Sequence, residues 1–401
     1  MAEQIALTKE QTQALVKEYG SPLYVYDEAL LRKRCREIRS LLPFPNYVPF
    51  YSVKANSNLE LLKIIREEGF HVDAMSPGEI LLEEAAGFST DEIFMVTNNI
   101  SDAEIQFSID HGILMSADSI SQLERYGKLN PGGEIAVRLN PGIGTGHDDK
   151  VITGGSCKFG TEFKYIPQIK ETAARYDLHI VGINQHVGSL FLSGEVFFEA
   201  CRRLLSVASA FPELRIIDFG GGFGVPYKGE ARLDLARFSG EFTQIVADFL
   251  KTCDHPDVRF HTEAGRYLVA ECCELLGTVQ CKKEVCGINY VGTDIGFNVL
   301  IRPVLYDAYH EIEVFNDEIR NECVTVVGDI CESGDILAKD RSLPVTVHGD
   351  LIGVKNAGAY GYSMASNYNS RLRPAEVLIG LDGQSRLIRK RDTYLDLLAQ
   401  L

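Results

Sequence analysis

Residues 47–58, Tyr-Val-Pro-Phe-Tyr-Ser-Val-Lys-Ala-Asn-Ser-Asn, predict a short buried strand that turns directly into a helix. Apolar residues lead up to Lys54, Asn56 and Ser57 are good N-cap residues, and an apolar helical pattern covers 59–65. Because α/β folds place their chemistry at the carboxyl ends of strands, Lys54 is a candidate nucleophile toward an aldehyde. Most lysines are instead solvated surface charges. The choice depends on whether other segments build a cofactor pocket around Lys54.

Composition and charge exclude several classes of protein. The chain has 401 residues, 45% hydrophobic and 24% charged, with a formal net charge of −16. This acidic balance argues against nucleic acid and anionic membranes as partners, and no uncharged apolar run is long enough to span a bilayer. The ten cysteines show neither a disulfide framework nor a Cys-x-x-Cys metal pattern. Reduced thiols, no metal site and a cytoplasmic location are the prediction.

Strand and helix patterns alternate for more than 200 residues, beginning with the strand that leads to Lys54. Helices are predicted at 8–19, 77–86 and 197–210, and a strand at 23–26 precedes the alternating region. Eight further strands are predicted at 48–53, 71–76, 93–97, 114–117, 135–139, 183–187, 215–219 and 259–262. Eight strands with crossovers match a (β/α)8 TIM barrel, and an open doubly wound sheet is the competing architecture.

The pattern changes after about residue 275. Strands with few long helices between them are predicted at 276–281, 288–291, 311–314, 323–327, 344–348 and 376–379. A second, mostly antiparallel β-domain is therefore expected to follow the barrel.

Two small-residue turns are candidate phosphate loops. Residues 218–224, Asp-Phe-Gly-Gly-Gly-Phe-Gly, follow one predicted strand, and Gly188-Ser189 ends another. Successive backbone N–H groups in such turns bind phosphate, although a glycine cluster alone also makes an ordinary tight turn. In a barrel both turns would open on the same face as Lys54, which favours phosphate binding.

Titratable residues at other strand ends are candidates for the same pocket. His186 is either a core histidine or a ring that stacks on an aromatic cofactor. Glu263 and Arg266 form a local ion pair, or they bind a ring nitrogen and an anionic group. Asp73 and Glu79 hold Lys54 or cap the next helix.

The second domain carries three candidate segments, each ordinary by itself. Cys331 is adjacent to Glu332, and with no metal spacing it is either buried filler or a proton donor. Arg302 and Tyr306 lie in Leu-Ile-Arg-Pro-Val-Leu-Tyr, and Tyr360 lies on a glycine-rich loop with a second tyrosine two residues later.

Taken together in order, these segments resemble the fold-type III pyridoxal-phosphate decarboxylases, which share the alanine racemase-like barrel. The resemblance covers nearly the whole chain and is closest to the members acting on diaminopimelate. It is carried by ten motifs: Tyr-Ser-Val-Lys-Ala-Asn at 51–56, Asp-Ala-Met-Ser-Pro-Gly-Glu at 73–79, Val-Arg-Leu-Asn-Pro at 137–141, Lys-Phe-Gly at 158–160, His-Val-Gly-Ser at 186–189, Gly-Gly-Gly-Phe-Gly at 220–224, Glu-Ala-Gly-Arg at 263–266, Ile-Arg-Pro-Val-Leu-Tyr at 301–306, Cys-Glu-Ser at 331–333 and Gly-Ala-Tyr at 358–360.

The resemblance implies a division of the chain and a set of residue roles. A cofactor-binding barrel would cover 29–275, and 1–28 with 276–401 would form the β-domain. Lys54 would bond covalently to pyridoxal phosphate, His186 would stack on its ring, and Cys331 from a partner subunit would return a proton. The cofactor would be bound by Lys54, Asp73, Arg138, His186, Ser189, Gly221, Gly222, Gly224, Glu263, Gly265, Arg266 and Tyr360. The substrate would be bound by Arg266, Arg302, Tyr306, Glu332 and Tyr360.

The implied reaction is decarboxylation of meso-diaminopimelate to L-lysine in an obligate homodimer with shared active sites. Arginines and tyrosines suit a distal carboxylate and Glu332 a distal ammonium, so a substrate with an amino acid group at each end fits both. Ala264, Val299 and Leu190 depart from the family pattern. The alternatives are therefore a decarboxylase for carboxynorspermidine, ornithine, lysine or another diamino acid, and a non-catalytic cofactor-binding relative.

Overall fold

A computed structural model describes residues 3–146, 152–253 and 257–399. Its strands in chain order are β1 (Leu23–Asp27), β2 (Tyr47–Ser52), β3 (His71–Ala74), β4 (Ile93–Val96), β5 (Leu114–Ala117), β6 (Glu134–Asn140), β7 (Thr145–Gly146), β8 (Thr161–Glu162), β9 (His179–Asn184), β10 (Gly188–Ser189), β11 (Ile216–Gly221), β12 (Arg259–Ala264), β13 (Cys273–Val285), β14 (Ile288–Thr293), β15 (Ile312–Val314), β16 (Asn321–Val327), β17 (Ile336–Pro344), β18 (Leu351–Lys355), β19 (Ala375–Ile379) and β20 (Ser385–Arg389).

The helices are α1 (Lys9–Tyr19), α2 (Glu28–Arg39), α3 (Leu59–Glu67), α4 (Pro77–Ala86), α5 (Asp102–Asp110), α6 (Ile120–Leu129), α7 (Ile166–Arg175), α8 (Glu195–Ser206), α9 (Leu235–Leu250), α10 (Arg266–Val269), α11 (Arg302–Tyr306) and α12 (Tyr394–Leu398). Among the described residues, no helix is both long and apolar enough to cross a bilayer. The helix predicted at 197–210 is α8 followed by a separate 3-10 turn, Ala208–Ala210.

Residues 35–225 and 231–265 form a compact unit built on a closed parallel barrel. The strands follow the order β2, β3, β4, β5, β6, β9, β11 and β12, and β12 pairs again with β2. Closure confirms the predicted (β/α)8 barrel and rules out the open doubly wound sheet. Register places Ser52 beside Asp73 and Gly221 beside Glu263, which brings the predicted site residues to the strand ends.

The barrel helices begin and end where their residues predict. Helix α4 starts after Ser76, whose side chain accepts the Glu79 N–H, and Pro77 occupies its first turn. It ends at Gly87, which adopts the left-handed conformation at φ 98°. Capping of this kind sets where the chain leaves each strand and therefore where the strand-end side chains lie.

Residues 1–34, 226–230 and 266–401 form a second compact unit around a mostly antiparallel sheet. Strand β13 pairs antiparallel with β1, β14 and β18, whereas β1–β19 and β14–β16 are parallel pairs. Its apolar core contains Ile5, Leu7, Leu15, Leu23, Val25, Leu276, Phe315, Ala375 and Val377. The expected β-domain is confirmed.

Two predicted strands are wrong in position. The sixth barrel strand covers 179–184 and not 183–187, because Gly182 lies inside the strand and does not break it. A Cβ on Gly182 would lie 2.9 Å from Cβ of Ala136 on the neighbouring strand, so the glycine permits close packing. Residues 344–348 do not form a strand, because β17 ends at Pro344.

Candidate active site

Lys54 lies in a single 3-10 turn, Val53–Ala55, at the carboxyl end of β2. Its side chain is exposed, and the Tyr51 hydroxyl donates a 2.8 Å hydrogen bond to the Asn56 carbonyl across the turn. The predicted N-cap is wrong: Asn58, and neither Asn56 nor Ser57, caps α3. The Asn56 side chain instead accepts the Asn58 N–H, which delays the helix by two residues. The lysine is therefore presented on a short, hydrogen-bonded connection.

Two carboxyl groups, those of Asp73 and Glu79, interact electrostatically with the Lys54 ammonium. The Ser52 hydroxyl donates to Asp73 at 2.7 Å, and the Met75 N–H donates to Glu79 at 2.6 Å. Burial and then the Glu263 charge raise the pKa of Asp73, and the Lys54 charge opposes them. Burial likewise raises the pKa of Glu79. The Lys54 charge acts to lower the pKa of both acids, and the N-cap of α4 is Ser76.

Glu263 and His186, with Lys54, Asp73 and Glu79, form the group that we call the barrel cluster. The Gly221 N–H donates to His186 Nδ1 at 3.1 Å. Glu263 Oε2 lies 3.5 Å from the same nitrogen. Burial would raise the pKa of Glu263, but the neighbouring His186 and the Lys54 charge outweigh burial and lower it. Burial lowers the pKa of His186, so an ionised carboxylate lies beside a neutral ring.

The two small-residue turns lie against each other. The Phe191 N–H donates to the Gly222 carbonyl at 3.0 Å, and the Gly224 N–H donates to the Phe191 carbonyl at 2.9 Å. Gly222 adopts φ 109°, and a Cβ there would lie 2.5 Å from the Gly188 carbonyl oxygen. A Cβ on Gly221 would lie 1.5 Å from the Glu263 carbonyl oxygen. Only glycine therefore fits at positions 221 and 222 of this double loop, and Ser189 is half-buried within it.

Arg138 lies at the end of β6 and is nearly buried. Its guanidinium is 4.6 Å from the Phe159 ring centroid, and its Nε is 3.8 Å from Asp118. The positive charge contributes to the lowered pKa of His186. Gly265 is buried at the end of β12, directly after Glu263 and Ala264. These residues support the cluster from its edge.

Two further buried acids of the barrel were missed by the sequence analysis. Asp218 accepts the Gly220 N–H at 2.9 Å, and burial followed by the Glu263 charge raises its pKa. Glu83 lies one helical turn after Glu79 and is fully buried, and among the described residues neither of its carboxyl oxygens has a hydrogen-bond partner. Burial, with the charges of Asp73 and Glu79, raises its pKa to about 9. No motif predicted that α4 turns this acid inward.

A separate cluster in the β-unit contains two buried arginines. Arg266 Nη1 donates to the Tyr227 hydroxyl at 3.0 Å, and its guanidinium lies 4.9 Å from the Tyr360 ring centroid. Arg302 is 1% exposed and lies 4.9 Å from the Tyr227 ring centroid. Arg302 Nη1 is 2.9 Å from His310 Nε2. We call these residues, with Tyr306, the arginine cluster.

The tyrosines complete the arginine cluster. Burial would raise the pKa of Tyr227, but the charges of Arg302 and Arg266 outweigh it and lower the pKa. Tyr306 and Tyr360 are half-buried and act electrostatically on both arginines. Tyr360 adopts a left-handed backbone at φ 57°, which fixes the direction of its side chain. The arrangement concentrates positive charge and phenolic hydroxyls, the groups that bind carboxylates.

Tyr227 and His310 were also missed by the sequence analysis. Tyr227 follows the glycine-rich segment after a proline, and the sequence contains no periodic pattern that links it to Arg266. Helix α11 ends at Tyr306 and Asp307 turns left-handed, so the eight-residue spacing from Arg302 to His310 is not a helical one. The only available signal is the density of aromatic and basic residues around 302–310.

Cys331 and Glu332 are exposed on a loop of the β-unit. The Cys331 N–H donates to Asn369 at 2.7 Å, and the Tyr368 hydroxyl donates to Glu332 at 2.5 Å. Asp335 holds the loop by accepting the N–H groups of Ile330 and Phe297. Within the described chain, neither residue forms a hydrogen bond with Arg266 or Arg302. Among the described residues of one chain, hydrogen bonds therefore do not connect Cys331 and Glu332 to the arginine cluster.

The three departures from the family pattern have different surroundings. Ala264 is fully buried in β12. Val299 is buried, and its carbonyl accepts the Tyr24 hydroxyl at 2.7 Å. Val299 and Cys331 both line one cavity of about 500 Å³. Leu190 is half-buried and adopts φ 64° inside the double loop. Val299 thus lines the same cavity as a predicted catalytic residue.

Comparisons with known proteins agree over nearly the full chain. Residues 28–270 match the family model described as pyridoxal-dependent decarboxylase, pyridoxal binding domain. The diaminopimelate decarboxylase of Methanothermobacter thermautotrophicus is 40% identical, with 96% of this chain and 92% of that protein covered. A crystal structure of diaminopimelate decarboxylase superposes with a TM-score of 0.90 at 34% identity, covering 98% of this chain and 96% of that one. The Helicobacter pylori enzyme complexed with L-lysine gives 0.89 at 30% identity, covering 97% and 98%.

Proposed function

The chain belongs to the pyridoxal-dependent decarboxylases, and on this premise we propose that it converts meso-diaminopimelate to L-lysine and carbon dioxide with pyridoxal 5'-phosphate as cofactor. The observation that carries the choice of substrate is Arg302. Its guanidinium is buried, and among the residues that the structure describes it forms no ion pair. A buried charge of this kind is costly unless a ligand supplies the opposite charge. A substrate carboxylate that is not removed in the reaction fits this requirement.

The barrel cluster fits the cofactor on grounds of its own structure. Glu263 is buried and its pKa is lowered, as expected of a carboxylate that binds a protonated ring nitrogen. The double loop has no room for a side chain at Gly221 or Gly222, which lets backbone N–H groups approach a phosphate. Lys54, Asp73, His186 and Ser189 would hold the remaining parts.

Each residue then has a definite task in the reaction. When bound, pyridoxal phosphate supplies an electron sink for the pair left by the departing carboxyl group. Glu263 would stay ionised and favour a positive charge at the ring nitrogen. Lys54 would anchor the cofactor through its amine, and the acids Asp73 and Glu79 would hold that amine when it is free. The arginine cluster orients the substrate by the carboxylate that remains.

We also propose a homodimer in which Cys331 and Glu332 serve the partner's active site. Both are exposed and form their hydrogen bonds away from their own arginine cluster, as this requires. Cys331 would supply the proton that replaces the lost carboxyl group, and Glu332 would bind the distal ammonium. All ten cysteines are free thiols, which supports a cytoplasmic location.

Mixing two inactive variants tests the shared site. Lys54→Ala and Cys331→Ala chains are each expected to be inactive as homodimers. Random pairing should produce mixed dimers with one intact site, and about a quarter of wild-type activity. Absence of recovered activity in verified mixed dimers would refute the sharing.

A substrate panel tests the choice of amino acid. We expect kcat/KM for meso-diaminopimelate to exceed that for L-lysine, L-ornithine and carboxynorspermidine by about a hundredfold or more. Val299, beside Cys331, is the observation that favours a different amino acid. A preference for any other member of the panel would replace the proposed substrate, and Val299→Asp should then shift the preference toward diaminopimelate.

A further inference from the structure

His310 is the residue that holds the Arg302 guanidinium. Its Nε2 is 2.9 Å from Arg302 Nη1, and its Nδ1 is 2.8 Å from the Lys355 carbonyl oxygen. The imidazole is 1% exposed and packs edge-on against the Tyr227 ring at 5.3 Å. Both ring nitrogens are therefore used, and the ring has one orientation.

These contacts determine the tautomer of His310. A carbonyl oxygen can only accept, so Nδ1 carries the proton and donates it to Lys355. Nε2 then has a free electron pair, which accepts the Arg302 N–H. Burial, followed by the Arg302 charge, lowers the pKa of His310 to about 3, so the ring stays neutral in ordinary buffers.

The Lys355 carbonyl, which accepts the hydrogen bond of His310 Nδ1, is itself fixed in place. Lys355 is the last residue of β18, and its N–H donates to the Glu311 carbonyl at 2.9 Å. Its ammonium is buried between Glu274 at 2.9 Å and Glu313 at 2.8 Å. The sheet therefore fixes the carbonyl that orients His310, and His310 in turn orients Arg302.

A neutral acceptor has a consequence that a carboxylate would not have. A carboxylate partner would orient Arg302 but would also neutralise its charge. The imidazole orients the guanidinium and leaves its positive charge available, and Arg302 Nε has no hydrogen-bond partner within residues 3–146, 152–253 and 257–399. The charge and the remaining N–H groups are thus kept for an anionic ligand.

We propose that His310 is a positioning residue that sets specificity for the substrate's second carboxylate, by holding Arg302 oriented while leaving its charge unneutralised. This inference rests on the proposed function, in which Arg302 binds the carboxylate that is not removed. It predicts that His310 contributes to recognition of that carboxylate and not to the chemical step.

Two substitutions separate the two hydrogen bonds of the ring. Asparagine places its amide near the position of Nδ1, so His310→Asn can still donate to Lys355 but has no acceptor for Arg302. Glutamine extends to the position of Nε2, so His310→Gln offers its carbonyl oxygen to Arg302. Comparable thermal unfolding and cofactor content in both variants would show that they fold.

Binding of two ligands to the cofactor-loaded enzyme is the readout, measured by calorimetry. L-Lysine retains the second carboxylate, and cadaverine lacks it. In His310→Asn we expect the dissociation constant of L-lysine to rise about tenfold to a hundredfold, as for a lost hydrogen bond to a charged group, with cadaverine changed less than about twofold. His310→Gln should retain L-lysine affinity within about threefold.

Turnover provides a second readout with its own expected pattern. His310→Asn should raise KM for meso-diaminopimelate with a smaller effect on kcat. Equal weakening of L-lysine and cadaverine, or no weakening of either, would overturn the proposal. Since ligand binding does not require turnover, a wild-type enzyme that released no carbon dioxide would refute the proposed function without deciding this test.

Discussion

Glu83 gives a prediction whose size follows from one buried carboxyl group. The side chain is fully buried, its two oxygens have no hydrogen-bond partner in the part of the chain that the structure describes, and its pKa is raised from 4.5 to about 9. The folded state therefore holds a proton that the unfolded state releases above pH 4.5. The contribution of Glu83 to the free energy of unfolding is fully present below that pH and is lost progressively as pH rises toward 9. Glu83→Gln replaces the neutral acid by a neutral amide of similar shape and removes this loss.

The linkage relation converts the pKa shift into a stability difference. At pH 7, ionisation of Glu83 in the unfolded state lowers the free energy of unfolding. The decrease is 2.303RT multiplied by the difference of 2.5 between pH 7 and pH 4.5, which is about 3 kcal/mol. At pH 5 the same relation leaves about 1 kcal/mol, and at pH 8 about 5 kcal/mol. With the usual entropy of unfolding per residue, Glu83→Gln should raise Tm by about 1 °C at pH 5 and about 5 °C at pH 8.

Scanning calorimetry of both proteins at matched cofactor content measures this difference. Glu171→Gln is the control, because Glu171 is exposed on α7 of the same unit. The control should give the same change in Tm at both pH values. An equal change in Tm at pH 5 and pH 8 for Glu83→Gln would refute the assignment of a buried neutral acid.

Three further predictions, the first with a control substitution, test the two clusters. Gly221→Ala should reduce pyridoxal phosphate affinity about tenfold or more because of the 1.5 Å clash. The control Gly240→Ala, where a Cβ meets open space on α9, should instead raise the free energy of unfolding by about 0.5–1 kcal/mol. Equal cofactor affinities of the two variants in titrations would contradict the prediction for Gly221. Glu263→Gln should lower kcat about a hundredfold in steady-state assays, and an unchanged kcat would exclude its role at the ring nitrogen. Tyr227→Phe removes the Arg266 hydrogen bond and should raise KM about tenfold, so a KM equal to that of wild type would refute that contribution.

Much of the barrel could be predicted because each strand is an apolar run that ends at a turn residue. The predicted strand before Lys54 differs from β2 by one residue at each end. The sixth strand was misplaced by a few residues, and close packing against the neighbouring strand explains the glycine that lies inside it, Gly182. In the β-unit, β17 was missed since charged and exposed residues interrupt it and Asp340 adopts a left-handed backbone. Local patterns do not reveal such tertiary compensation.

The candidate site was predictable where chemistry follows strand ends. Lys54 follows the carboxyl end of β2, and Glu263 is the next-to-last residue of β12. Barrel topology alone therefore brings them to one rim of the barrel. His310 and Tyr227 could not be predicted, because their roles depend on contacts with Arg302 and Arg266 between distant segments. Glu83 was missed because a helical acid is usually exposed, and only packing shows that it is buried.

The most direct test of the account is the product balance of the purified enzyme, supplied with pyridoxal phosphate and meso-diaminopimelate. Carbon dioxide and L-lysine should form in equal amounts with wild type, and neither should form with Lys54→Ala. Failure of the wild type to release carbon dioxide, or product formation that survives Lys54→Ala, would contradict the assignment of Lys54 as the anchor of a diaminopimelate decarboxylase.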